Sequence, residues 1–493
     1  VPQQFPVLSL RSAAVATATV TLTLALPTLA SADWTPAVEL DTDAGVTGLT
    51  VDSTGARLVN ARRAGAKKTV NTRLMGIGAD GAAGALRTLT GLTEDPVPFN
   101  GDGVVYPRQK SLGTVSRTVP DGKGGMRTIT LTRYRLGVSV GKTSDATLGS
   151  QRSSGYAVLD EPAKITGNVK GSVAMGWSDV GDDGVVRVYV AWREGKGGTS
   201  SVRLGKPLQV SGSQSSRLLA LTTGPGGRTL VVYQTGASEK TRRLYVRSLS
   251  MGRGTLGKPQ TLRRGGPGFP SATVAVGAKG RAVVAWGEQD VATEHEKPYV
   301  VRATTRDTDR VRFAVPKPID KGTVAVRSPG GALVSAIDTQ NRVTLAWNQT
   351  VGSVADGTAH DIPRVAETEA TGGLSPIRDI AAAGRVHGAV ANASGATTGV
   401  VLVREQERPI GGSNGDRGVA VQAAFRPATG PLGAPETIDQ FTDAQLLDRS
   451  NAYGSASIGA LPDGRYTVAW TRAVIANGKL RSSALFSDRT AAP

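Results

Sequence analysis

An all-β ring of repeated four-stranded sheets is the architecture this sequence predicts, and three observations predict it. A short apolar phrase recurs along the chain. A second motif containing a proline follows each copy. That second motif also stands alone just after residue 33, with no copy of the phrase before it. Repeats some tens of residues long mark stacked or circular architectures, in which each unit buries the face of its neighbour.

The phrase is clearest at Gly280–Trp286, which reads Gly-Arg-Ala-Val-Val-Ala-Trp. It returns as Arg465-Tyr-Thr-Val-Ala-Trp470, Arg342-Val-Thr-Leu-Ala-Trp347 and Arg228-Thr-Leu-Val-Val-Tyr233. A β-branched run opened by a turn residue is the sequence form of a buried strand. Both faces of that strand are apolar, Val283 and Ala285 on one and Ala282, Val284 and Trp286 on the other. A lone sheet cannot hide two faces, whereas sheets stacked face to face can.

The second motif is an apolar residue followed six positions later by another, with a proline between them: Leu204…Val210, Leu256…Leu262, Phe313…Ile319, Leu374…Ile380 and Leu432…Ile438. Six is even, so the pair is expected on one side of a strand. The proline suits an edge strand, where a missing N–H breaks no ladder. One more strand fits between the phrase and this motif, as at Leu244–Leu249, Tyr299–Thr304 and Val185–Trp192. Another precedes the phrase, as at Ala272–Val276 or Ser455–Ala460. Four antiparallel strands with the edge strand last make a propeller blade.

The earliest internal copy is Leu86…Leu92, and the span from there to Leu204 has room for two blades. In the poorer one, near residues 97–150, the second strand is placed at Val104–Tyr106 and the third at Arg127–Tyr134, with no clear edge strand. Eight blades are favoured, and seven is the alternative if that stretch is an insertion. Only twenty-three residues follow Trp470, too few for a last edge strand, while Trp34-Thr-Pro-Ala-Val-Glu-Leu40 is an edge motif without a blade. The N-terminal strand is therefore expected to complete the last blade and close a single β-propeller.

Residues 1–32 read as a secretory signal: Arg11, the apolar stretch Ala13–Leu26, Pro27, and Ala30-Ser31-Ala32 before the cleavage point. The apolar part is short and rich in Ala and Thr for a stable span, and no later stretch approaches eighteen apolar residues. The expectation is a secreted, extracellular, monomeric propeller over residues 33–493, with no stable membrane insertion. Cysteine is absent, which excludes disulfides, thiolate metal sites and cysteine nucleophiles. The three histidines, His295, His360 and His387, are too few for a histidine-built metal centre. No metal or other cofactor is expected, and no catalytic residue is assigned.

Charge is uneven. The chain carries +18 in all; from 33 to 264 there are 33 Lys/Arg against 18 Asp/Glu, and from 265 onward 24 against 22. Arg203–Arg264 holds twelve basic residues and one acid, Glu239. Consecutive blades are neighbours, so one side of the ring should carry a positive field that attracts polyanions. Arg242, Arg243, Arg247, Arg253, Arg263 and Arg264 are the candidate binding residues, with an anionic polymer or glycan as partner. Nucleic acid is disfavoured, because no aromatics beyond Tyr233 and Tyr245 interleave with the basic residues. The plain alternative is a solvated basic surface that serves solubility.

Other candidates read as structure. Asp179, Asp182 and Asp183 lack the spacing of an EF-hand loop and suit a polar hairpin turn. Asn414-Gly415-Asp416 is a hairpin tip. His295, between Glu294 and Glu296, reads as a solvated loop residue. Gly224–Gly227 and Gly265–Gly268 join strand to strand and so cannot cradle phosphate at a helix N-terminus.

The strand grammar, a Gly turn, a Val-Ala-Trp strand and an edge strand such as Trp34–Leu40, is similar to that of the sialidase-like, BNR-type β-propellers. The composition, rich in Ala, Arg and Gly and free of cysteine, resembles exported proteins of high-GC actinobacteria. The resemblance departs at the Asp-box, Ser-x-Asp-x-Gly-x-Thr-Trp, which does not occur; Thr50-Val-Asp-Ser-Thr-Gly55 misses it by one position. It implies, for a sialidase, three arginines on a substrate carboxylate and a Tyr/Glu nucleophilic pair. Neither can be assigned here, and Glu296 and Tyr299, three apart, would face opposite sides of a strand. Two functions stand: a secreted, non-enzymatic binding or scaffold module, and alternatively a sialidase-like glycoside hydrolase.

Overall fold

A computed structural model describes residues 34–490 apart from short connecting segments, the longest being 406–417 and 442–451. The described residues form strands and turns without a helix, and none of them builds a helix able to cross a membrane. The expected signal segment, Leu92, His295 and Asn414-Gly415-Asp416 lie outside the described residues.

Eight antiparallel blades are present. Blade 1 runs Gly45–Val51, Arg57–Ala64, Val70–Ile77 and Ala83–Leu89. Blade 2 runs Val97–Phe99, Gly103–Pro120, Met126–Lys142 and Arg152–Leu159, and blade 3 runs Lys164–Gly167, Val173–Val180, Val186–Arg193 and Leu208–Gln209. Blade 4 has Ser216–Thr223, Arg228–Thr235 and Arg243–Ser250, edged by both Thr255–Leu256 and Gln260–Arg264. Blade 5 is Ala272–Val276, Ala282–Glu288, Glu296–Arg306 and Lys317–Ala325; blade 6 is Val334–Ile337, Val343–Val351, His360–Glu367 and Arg378–Asp379. Blade 7 is Arg385–Ala391, Thr398–Glu405, Gly418–Arg426 and Glu436–Gln440. Blade 8 is Ala452–Ala460, Tyr466–Ala476 and Lys479–Asp488, and its fourth strand is Val38–Thr42. The eight innermost strands touch one another in a closed cycle, blade 8 against blade 1 included, and so surround a central axis.

The stretch 97–150 is thus a true blade and not an insertion. Its second and third strands overrun the expected Val104–Tyr106 and Arg127–Tyr134 and rise beyond the blade as a two-stranded ribbon. Val115, Val119, Ile129 and Leu131 of that ribbon pack on Val180 and Val186 of blade 3. Gly184 is needed there, because a Cβ would meet the Thr118 carbonyl oxygen at 2.0 Å and its φ is +72°.

The edge motif differs from its expected form. Leu204, Phe313, Leu374 and Leu432 precede their edge strands, which begin at Leu208, Lys317, Arg378 and Glu436. The residue after each anchor donates one backbone hydrogen bond to the end of the third strand: Gly205 to Trp192, Ala314 to Thr305, Ser375 to Glu367 and Gly433 to Phe425. Thr35 donates likewise to Asp488 at the closing blade. The proline then falls in the gap between that bond and the ladder, where no donor is required.

Seams between blades bury Trp177, Trp286, Trp347 and Trp470, each worth roughly 5 kcal/mol of gross apolar transfer. Several seams add a polar lock. Trp347 Nε1 donates to Asp320 Oδ2 on the edge of blade 5 at 2.7 Å, and Trp470 Nε1 donates to Asp439 Oδ2 on the edge of blade 7 at 3.1 Å. Arg364 clamps Asp320 at 2.9 Å, and Arg73 of blade 1 meets Asp41 of the closing strand at 3.1 Å. Between blades 4 and 5 the signs are reversed: Arg263 on the edge reaches Glu288, which also accepts from Trp286 and pairs with Arg302.

Candidate functional site

The six arginines singled out on charge do not form one cluster. Arg243 is laddered to Arg264, so Arg242, Arg243, Arg263 and Arg264 gather where the third strand of blade 4 begins. Arg253 follows that strand's far end, at Ser250.

Four of the six are committed to structure. Arg242 donates to the carbonyls of Gly266 and Ala237 at 3.0 and 3.3 Å, and Arg243 to those of Lys240 and Arg242, both at 2.8 Å. Arg247 ties three strands together, with Nε on the Gly257 carbonyl at 2.7 Å and Nη1 on the Val210 carbonyl of blade 3 at 2.5 Å. Arg263 is held by Glu288 at 2.9 Å. Arg253 and Arg264 are exposed, and neither has an ion-pair partner among the described residues.

The free charge collects at a groove of about 390 Å³ between the rims of blades 4 and 5. Pro259, Gln260, Thr261, Leu262, Arg263 and Arg264 form one wall, and Arg312 and Phe313 the other. Gln260 pins the walls together: its Nε2 donates to the Phe313 carbonyl and its Oε1 accepts from the Phe313 N–H, both at 2.9 Å. Arg306 stands over the Phe313 ring at 5.0 Å, and burial pushes its pKa down to about 10. Arg312 is exposed, as are Lys258, Arg310 and Lys317, its neighbours in sequence across the two walls. Two nearby acids are engaged: Glu288 lies between Arg263 and Arg302, and Asp309 pairs with Arg228 at 2.7 Å. Arg312 escaped the sequence reading because a charge count taken along one stretch cannot join two blades.

A second set of positions lies on or just before the innermost strands. The innermost strands of blades 1, 4 and 7 are bulged at Thr47, Leu219 and His387. Each stands four residues before its strand's last residue, Val51, Thr223 and Ala391, and Asp95 stands equally before Phe99. Bulges re-aim side chains. Asp95 accepts from Asn60 Nδ2 at 2.5 Å and from Thr47 Oγ1 at 3.2 Å, and burial raises its carboxyl above the usual range. Burial likewise raises Glu94, against the pull of Lys164. His387 is pushed down to about 4, first by burial and then by Arg385. These groups are only partly covered. The shared spacing from the strand end was the only sequence signal for them.

The remaining candidates resolve into structure. Asp183 holds Arg187 at 2.5 Å, Asp182 holds Arg117 at 2.6 Å, and Asp179 accepts the Val158 N–H at 2.8 Å. Gly181 to Val185 closes the hairpin turn expected there. Asp52, the Asp-box near miss, caps the turn between the first two strands of blade 1, accepting from the N–H groups of Thr54 and Ala56. Glu296 and Tyr299 lie on one strand, paired with Ala325 and Gly322. His360 begins a strand of blade 6.

Four arginines are committed to the seams between blades. Arg281 donates to the carbonyls of Asn341, Glu369 and Gly372 in blade 6, and Arg342 to that of Pro427 in blade 7. Arg426 reaches back to the Val343 carbonyl and to Glu367, and Arg57 pairs with Asp488 of blade 8. All four are almost wholly buried, and they clip seams.

No protein-family model matches the chain, and no curated protein matches it significantly. Among solved structures it is similar to the β-propeller domain of the Trilobed protease from Pyrococcus furiosus, which is described as having an open velcro topology. The identity is 8% and the TM-score 0.37, over 89% of this chain and 97% of that one. It is also similar to a protein of unknown function from Dyadobacter fermentans, at 11% identity and a TM-score of 0.37, over 67% of this chain and 98% of that one. Neither likeness bears on function, and the propeller here rests on its own strand ladders.

Proposed function

We propose that the chain is a secreted propeller that binds or scaffolds an anionic extracellular polymer and performs no chemistry of its own. The observation that carries this reading is the concentration of cations on the rim of blades 4 and 5, where Lys258, Arg264, Arg310, Arg312 and Lys317 are all exposed and have no ion-pair partner among the described residues. Such a field concentrates polyanions and releases their counterions on contact. A sialidase-like glycoside hydrolase is the second reading. It draws no support from the buried arginines, whose donors are committed to blade seams.

The test is the salt dependence of binding to heparin and to teichoic acid. With three or four contacts, affinity is expected to fall roughly 10- to 100-fold between 50 and 200 mM salt. Absence of binding at low salt, or binding indifferent to salt, counts against the proposal. Arg242, Arg243 and Arg247 are poor positions for exchange, because their carbonyl bonds would be lost along with their charge.

A further inference from the structure

We infer that the groove between blades 4 and 5 is a recognition subsite for single oxyanion-bearing units of such a polymer, each a sugar or polyol carrying a carboxylate or a phosphodiester. This deepens the polyanion reading and rests on it. Four features support it together.

The volume, about 390 Å³, falls in the range of small-molecule sites and suits one or two sugar-sized units. The walls are already fixed, since the paired Gln260–Phe313 hydrogen bonds hold the edge strand of blade 4 to the loop of blade 5. A ligand therefore does not bear the cost of ordering them. The lining is mixed: Leu262 and Phe313 are buried and apolar, Pro259 adds an apolar rim, and Arg264 and Arg312 leave exposed guanidiniums over it. That is the arrangement for a ring or chain body below and an oxyanion above, since guanidinium forks match carboxylate and phosphate oxygens.

The fourth feature sets the sign. Among the described residues no acidic side chain lines the groove. Glu288, behind Arg263, is one anion between two guanidiniums and leaves the wall positive. Gln260–Arg264 is also an outermost strand, so its outward backbone edge has no strand partner.

The experiment titrates the full chain with two probes, a short oligogalacturonate for the carboxylate and a short glycerol-phosphate oligomer for the phosphodiester. Long heparin is titrated in parallel. The variant is Arg264→Gln with Arg312→Gln; the control is Arg203→Gln with Lys206→Gln, two exposed cations on the edge segment of blade 3. Thermal unfolding verifies that both remain folded. The groove variant is expected to weaken binding of at least one oligomer about tenfold or more, the scale of a lost charge-assisted contact, while the control leaves it nearly unchanged. The oligomer that responds identifies the oxyanion.

Equal oligomer affinity in the groove variant and the parent, or an equal loss in the control, overturns the subsite. If heparin still binds with steep salt dependence in that case, the polyanion reading survives without the groove. If oligomers bind the groove and heparin does not bind at all, the polymer reading falls alone. Binding by neither overturns both.

Discussion

Trp347 and Trp177 are each the fifth residue of their blade's second strand, Val343–Val351 and Val173–Val180, and both are buried, yet their polar ends differ. The indole N–H of Trp347 meets Asp320 at 2.7 Å, and Arg364 holds the same carboxylate. Trp177 stacks on Tyr189 at 6.1 Å, packs with Ala157 and Leu159 of blade 2, and finds no acceptor for its N–H among the described residues. The deciding residue is on the neighbouring blade, just after the second apolar position of the edge motif. Asp320 follows Ile319, Asp439 follows Ile438 and Asp41 follows Leu40. Apolar burial seats Trp177, Trp286, Trp347 and Trp470 in their seams. A lock is added where a carboxylate meets the indole, from the neighbouring edge strand for Trp347 and Trp470 and from Glu288 of its own strand for Trp286.

The closing seam should show the largest effect when this scheme is broken. It combines a packed Trp34, the bonds of Thr35 to Asp488, the ladder from Val38 and the Asp41–Arg73 pair. Deleting residues 33–42 should lower stability by several kcal/mol through lost burial and hydrogen bonds. Unfolding midpoints that match those of the parent would show that the clasp does not close the ring.

Removing a lock inside the ring comes next. Asp320→Ala strands the Trp347 N–H and leaves Arg364 with Asp379 alone, and should cost about 2 kcal/mol, as an unsatisfied buried donor does. At the unlocked seam, Trp177→Phe forfeits volume but no hydrogen bond, whereas Trp347→Phe forfeits both. Denaturant unfolding should therefore place Trp347→Phe about 1 kcal/mol below Trp177→Phe. Equal losses would mean that the lock adds nothing.

His387 extends the contrast to a titratable group, and its effect should be the smallest. Its folded pKa, about 4, lies below the ordinary 6.5, so the unfolded chain takes up its proton first as pH falls. Stability is then lost between about pH 6.5 and 4, by about 1 kcal/mol once the imidazole's partial exposure is allowed for. His387→Gln should flatten that window. Glu94 and Asp95, raised by burial, act in the opposite sense and withdraw stability as pH rises through their folded values.

The repeat was legible because its positions demand particular residues. Two-sided burial selects Val, Ala and Trp, and the gap after the edge anchor admits Pro. Blade 2 was hard to read because its innermost strand is only Val97–Phe99 and because its central strands continue into a ribbon with an exposed Thr and Ser face, for instance Thr114, Ser116 and Thr130. The candidate site was half legible. Composition located the positive blade, but whether a guanidinium faces solvent, like Arg264, or a neighbour's carbonyl, like Arg247, depends on contacts between blades. His387 and Asp95 carry no motif at all, since a bulge is a property of the ladder.

The clasp also has a consequence in time. Thr35 and Ser487, hydrogen-bonded to each other, stand 452 residues apart. Every other blade can assemble from one continuous stretch, whereas blade 8 must recruit a strand from the far end of the chain. Contacts of such sequence separation form slowly, because the closure entropy comes before any reward. Until they form, Lys479–Asp488 has an unpaired edge, the kind of surface through which incomplete chains associate. The step that completes the ring is therefore also the one that most exposes the chain to misassembly while it is pending.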